Sequence, residues 1–113
     1  MRAAARAVRA VLPGAVRREI ELRHALGGVQ GPLAAGALRR IVRAVAPCTM
    51  VVPAGVAFAA QCAAEAARAG RGGAIVECGV WRGGTSFAML LAQCEAAGRV
   101  VCPVHMLDSF QGL

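Results

Sequence analysis

Residues 73–92 read GAIVECGVWRGGTSFAMLLA: a short apolar run closes on an acid, glycines follow, then two hydroxyls, then a second apolar run. Ile75 and Val76 are β-branched, and glycine bounds the run over 74–78 on both sides, which predicts a buried parallel strand. A helix is predicted to begin near Thr85 or Ser86, either of which can cap it, and to run to Gly98. Its body, FAMLLAQCEAA, has only Gln93 and Glu95 as polar residues, so more than one side is expected to be covered, with Phe87, Met89, Leu90 and Leu91 in the core. The next stretch, RVVCPVHML, reads as a second strand that delivers Asp108. Strand, helix and strand of these lengths make a βαβ unit, and the fold class is α/β.

That arrangement points to chemistry at the turn. Glycines at the carboxyl end of a strand let a ligand approach the backbone, and a helix start offers free N–H groups carrying partial positive charge. An acid ending the second strand can accept hydrogen bonds from a ribose diol, and Asp108 lies 24 residues after Gly84. These features suggest a nucleoside cofactor. The order Gly79-Val80-Trp81-Arg82-Gly83-Gly84 does not fit the dinucleotide fingerprint G-x-G-x-x-G. A strand-terminal Glu77 suits a cation better than a pyrophosphate, and S-adenosylmethionine carries both an ammonium and a ribose. The same residues allow plainer readings: glycines at such a turn also serve close packing, and Asp108 can cap a turn through DSF.

Upstream, three helical segments are expected. Residues 2–11 place Arg2, Arg6 and Arg9 on one face and stop at Pro13-Gly14. Residues 15–26 set Glu19 four before Arg23, a supportive pair, and end at Gly27-Gly28. Over 33–45, Ala34, Ala37, Leu38, Ile41 and Val45 form an apolar stripe opposite Arg39, Arg40 and Arg43. A fourth helix over 54–69 is expected to show Gln61, Glu65 and Arg68 to solvent and to pack through Val56, Phe58, Ala59, Cys62, Ala63 and Ala66.

Charge divides the chain. The formal charge is +7; residues 1–43 hold nine arginines against Glu19 and Glu21, while 44–113 balance four arginines with four acids. The basic faces suit an anionic partner or simple solvation, and no aromatic is interleaved to stack on bases. Arginines and other polar residues interrupt every apolar run, so no membrane span is predicted, and the start has no apolar core followed by a small-residue cleavage site. The expected location is the cytoplasm. Five cysteines without a CxxC indicate neither zinc nor a disulfide framework, and all five are read as buried small hydrophobes. Cys102 and His105, three apart in a strand, would point to opposite faces, so no metal pair is expected.

TMVVPAGVAFAAQCAAEAARAGRGGAIVECGVWRGGTSFAMLLA followed by VHMLDSFQGL resembles the macrocin O-methyltransferase family, within the class I S-adenosylmethionine-dependent methyltransferases. The resemblance covers roughly residues 48–113, and its specific parts are TM, VECGVWRGGTS and LDSFQGL, in order. It implies a Rossmann-like fold and transfer of a methyl group from S-adenosyl-L-methionine to a hydroxyl, often on a sugar of a macrolide or similar natural product. By motif, Glu77 and Gly79 would line the methionine part, with Thr85 and Ser86 near its carboxylate. Asp108 would hold the ribose hydroxyls, Ser109 and Phe110 would lie beside the adenosine, and Thr49 and Met50 would come near the cofactor. Trp81 and Arg82 read equally as pocket wall or surface.

Members of that family continue past DSFQGL through the rest of a seven-stranded sheet. The chain is therefore expected to be the amino-terminal part of an enzyme, with an incomplete sheet, self-associating and inactive alone. A basic helical segment over 1–46 would precede the first part of the cofactor domain over 47–113. The catalytic base is not identified, and acids that bind Mg2+ in some members lie outside these residues. Two other readings stay open, a nicotinamide-dependent oxidoreductase fragment and a non-catalytic basic helical module whose partner binding would fall steeply with salt.

Overall fold

The computed structural model describes residues 2–112, less the side chains of Ala5, Val8 and Arg9. The expected place of Arg9 on a basic helix face and the last residue of LDSFQGL therefore lie outside the described residues. Proline has no N–H with which to continue a helix: α1 (Arg2–Val11) ends before Pro13 and α2 (Gly14–Leu26) begins after it. Helix α3 (Ala35–Val45) runs into a short 3-10 turn, Ala46–Cys48. Helix α4 (Pro53–Ala69) opens on a proline, where the missing N–H costs nothing, and stops at Gly70 in a left-handed conformation. Then come β1 (Ile75–Cys78), α5 (Gly84–Ala97) and β2 (Val104–Leu107).

The predicted α/β class holds: helices precede one βαβ unit whose two strands pair in parallel, Ile75 opposite Val104 and Cys78 opposite Leu107. The core is mainly helical. Leu38, Ile41, Val42 and Val45 of α3 meet Val56, Ala57, Ala60 and Ala64 of α4 and Ala88, Met89 and Ala92 of α5. The broadest interhelical contact joins α4 to α5, and alanine on both sides lets those axes approach closely. The sheet reaches this core through Ile75 and Val104, whereas Val76 and Leu107 are each 56% exposed. Parallel sheets normally bury both faces, whereas this two-stranded one leaves the face of Val76 and Leu107 open.

Several expectations are corrected. Gln61, placed on the solvent face of α4, is buried; its amide oxygen accepts the Leu33 N–H at 2.8 Å and its amide nitrogen donates to the Leu33 carbonyl at 3.0 Å. That engagement keeps Leu33 outside α3, which starts at Ala35 rather than 33. Phe58 and Cys62, assigned to the packing face, are exposed, because alanine surrounds α4 and contacts with α5, α3 and α2 decide which sides are covered. Phe87 is exposed rather than core, while Met89 is buried. Of the five cysteines only Cys102 is buried. It precedes β2, which is shorter than RVVCPVHML: Gln93 accepts the N–H groups of Val101 and Cys102 and donates to the Cys102 carbonyl, so those backbone groups bond a side chain instead of a ladder.

Candidate functional site

The carboxyl ends of β1 and β2 lie side by side, and the Gly79 N–H extends their ladder to the Leu107 carbonyl at 2.8 Å. Beyond that bond the two chains part around a cavity of about 300 Å³ lined by Met50, Gly79, Trp81, Asp108, Phe110 and Gly112. Gly79 has φ 81°, a left-handed conformation that side chains rarely adopt, and the space where a Cβ would stand is open. The glycine thus leaves bare backbone beside the cavity.

The α5 start is fixed from behind. A Cβ on Gly84 would stand 2.5 Å from the Cys48 carbonyl oxygen, so only glycine lets the 46–49 segment lie against the helix. The Thr49 and Thr85 hydroxyls are 3.1 Å apart, and Thr49 Oγ1 also accepts the Val51 N–H at 3.0 Å. Ser86 Oγ donates to the Glu77 carboxylate. Neither Thr85 nor Ser86 caps α5 as expected; Gly83 takes that position in a left-handed conformation, and both hydroxyls are engaged elsewhere. Glu77 is half-buried, and its bond to Ser86 fixes its direction.

Asp108 joins the two strand ends. Its Oδ2 accepts the N–H of Val80 at 2.6 Å and of Trp81 at 3.2 Å, and its Oδ1 accepts the N–H of Phe110 at 3.0 Å, with Ser109 Oγ at 3.5 Å. The Phe110, Val80 and Trp81 amides together lower its pKa from 3.8 to about 2, because each bond favours the charged form. The turn-capping reading through DSF is therefore present, joined by a bridge to the turn after β1. Oδ2 takes two donors and Oδ1 takes the Phe110 amide and the longer Ser109 contact, which is the one a further donor would displace.

Of the residues singled out in the sequence, Met50, Gly79, Asp108 and Phe110 line the cavity. Glu77, Thr85, Ser86, Thr49 and Ser109 stand behind or beside it, bonded as described. Trp81 is pocket wall, and Arg82 stacks on its ring at 4.7 Å from the centroid. Gly112, the glycine of LDSFQGL, also lines the cavity and was not singled out as a site residue. Among the described residues no three of His, Cys, Asp and Glu gather to hold a metal, and no helix is long and apolar enough to cross a membrane.

No curated protein and no solved structure matches the chain. The model of one family, described as macrocin-O-methyltransferase (TylF), matches residues 40–113, more than half of the chain and starting within α3 rather than at residue 48. With the strand, glycine turn and LDSF acid in their expected places, the chain belongs to the macrocin-O-methyltransferase family and is of O-methyltransferase type.

Proposed function

We propose that the cavity at the ends of β1 and β2 binds S-adenosyl-L-methionine. The chain then supplies the methyl-donor half of a site that methylates a hydroxyl of a sugar or other natural-product acceptor. The observation that carries this reading is the meeting of a bare-backbone glycine, Gly79, with an ionised Asp108 at one cavity. The residues present fit such a ligand. A volume of about 300 Å³ lies at the small end of ligand sites, and apolar Met50, Trp81 and Phe110 surround few polar groups. Bound there, the cofactor supplies an electrophilic methyl group.

Each role follows from what the side chain has free. Glu77, aimed by Ser86, attracts an ammonium. The Thr85 and Ser86 hydroxyls are engaged by Thr49 and Glu77, so the amides at the α5 start are what remains for a carboxylate. Asp108 Oδ1 accepts one ribose hydroxyl, beside Ser109, and Phe110 lies against the base. Met50, carried by the segment that Thr49 ties to α5, also lines the cavity. Residues 47–113 form the cofactor part and residues 1–46 a basic helical segment preceding it. The open sheet face at Val76 and Leu107 favours self-association of the chain.

Calorimetric titration separates this reading from a nicotinamide site. Saturable binding of S-adenosylhomocysteine with none of NADH is expected; NADH binding without S-adenosylhomocysteine would overturn it.

A further inference from the structure

Two non-glycine residues among those described have positive φ, Trp81 at 51° and Phe110 at 56°. A bulky side chain in that region is strained and persists only where its surroundings over-determine it. Both residues donate their backbone N–H to the same carboxylate, Trp81 to Oδ2 and Phe110 to Oδ1 of Asp108, and both line the same cavity. A turn through DSF accounts for Phe110 alone, since Trp81 lies 27 residues away in sequence. Arg82 stacks on one face of the indole, 4.7 Å from its centroid.

We propose that Asp108 is a positioning residue that holds Trp81 and Phe110 in left-handed conformations, setting their rings as the walls of a slot for a flat heteroaromatic group. The slot's occupant, adenine, rests on the reading of the cavity as a cofactor site; the positioning itself does not. Two aromatic rings and a methionine lining one cavity attract a polarisable flat ring by stacking. The carboxylate form is required. An amide at position 108 has one acceptor oxygen and turns its own N–H groups toward one of the two aromatic backbones.

The chain contains one tryptophan and no tyrosine, so its intrinsic emission reports Trp81 directly. Asp108→Asn keeps the size of the side chain and is the variant of choice; circular dichroism establishes that it is folded. Released from its anchor, Trp81 should show a red-shifted emission and stronger quenching by acrylamide. Unchanged emission and quenching in folded Asp108→Asn overturns the proposal.

Ligand selectivity gives a second readout that general loss of structure does not mimic. Wild type should prefer S-adenosylhomocysteine over S-ribosylhomocysteine, which lacks the base, by about tenfold or more. Asp108→Asn should lose that preference. Phe110→Gly tolerates the left-handed backbone, so it should lose the preference while keeping the wild-type Trp81 emission. If it shifts that emission as Asp108→Asn does, the anchoring role is overturned. An emission shift in Asp108→Asn without wild-type binding of either ligand supports the positioning role and refutes the cofactor reading. Binding with base preference intact in Asp108→Asn does the reverse.

Discussion

The two halves of the molecule use polar side chains in opposite ways. In α2 and α3 charges meet charges at the surface: Glu19 receives Arg23 at 2.9 Å, Arg39 at 3.7 Å and Arg43, and Arg17 pairs with Glu21 at 3.6 Å. From α4 onward, beside side-chain pairs such as Ser86 with Glu77, three polar side chains bond backbone. Gln61 holds Leu33, Gln93 holds 101–102, and Asp108 holds Val80, Trp81 and Phe110. An exposed ion pair is screened and its partners interchange, so it contributes little and tolerates substitution. A side chain that satisfies buried backbone groups has no substitute nearby, and its loss leaves those groups unpaired. The second half thus fixes loop conformations one by one, as a binding site needs, while the first half fixes only which helix lies beside which.

Substitutions test that contrast, beginning with Gln93. Its side chain is fully buried and bonds three backbone groups, so Gln93→Leu should cost about 1–3 kcal/mol for each buried group left unpaired. Against a total stability of about 5–15 kcal/mol this is the largest single effect, read as a fall in the urea midpoint. A midpoint within error of wild type would break the comparison.

Gly84→Ala comes next. The added methyl collides with the Cys48 backbone, and overpacking of this kind should cost about 1–3 kcal/mol in the same assay while loosening the 46–49 segment.

Acid sharpens the contrast further. Asp108 has its folded pKa lowered to about 2 from 3.8, so its contribution is present above 3.8 and is lost as pH falls through about 2. Trp81 emission, which follows protonation of the folded carboxylate, should therefore hold steady on acidification past 3.8 and change around pH 2, and Asp108→Asn should lack that transition. The smallest effect belongs to the first half. Glu19→Gln should lower stability by no more than about 1 kcal/mol, and less at high salt, despite its three arginine partners.

Much of this was legible in the sequence where periodicity or glycine governs. Pro13 marked a helix limit, β-branched Ile75 and Val76 marked β1, and the Glu19–Arg23 spacing foretold their contact. Gln61 and Gln93 were opaque because a buried amide bonded to backbone leaves no periodic trace and looks like any surface glutamine. Phe58, Phe87 and four cysteines were misplaced for a different reason: apolar character says that a residue can be covered, not that a neighbour lies on its side of the helix. Of the site, Gly79 and Asp108 came from motif order, whereas left-handed backbones at Trp81 and Phe110 contradict residue propensity, and the one at Trp81 rests on a partner 27 residues away in sequence.

The central claim is that bare backbone at Gly79 opens the cavity to a methyl donor, and paired calorimetric titrations of S-adenosylhomocysteine into wild type and Gly79→Val test it most directly. Valine there would fill the open space and resist φ 81°, so the variant should remain helical by circular dichroism and lose affinity by about tenfold or more. Equal affinity in the two folded proteins would contradict the account.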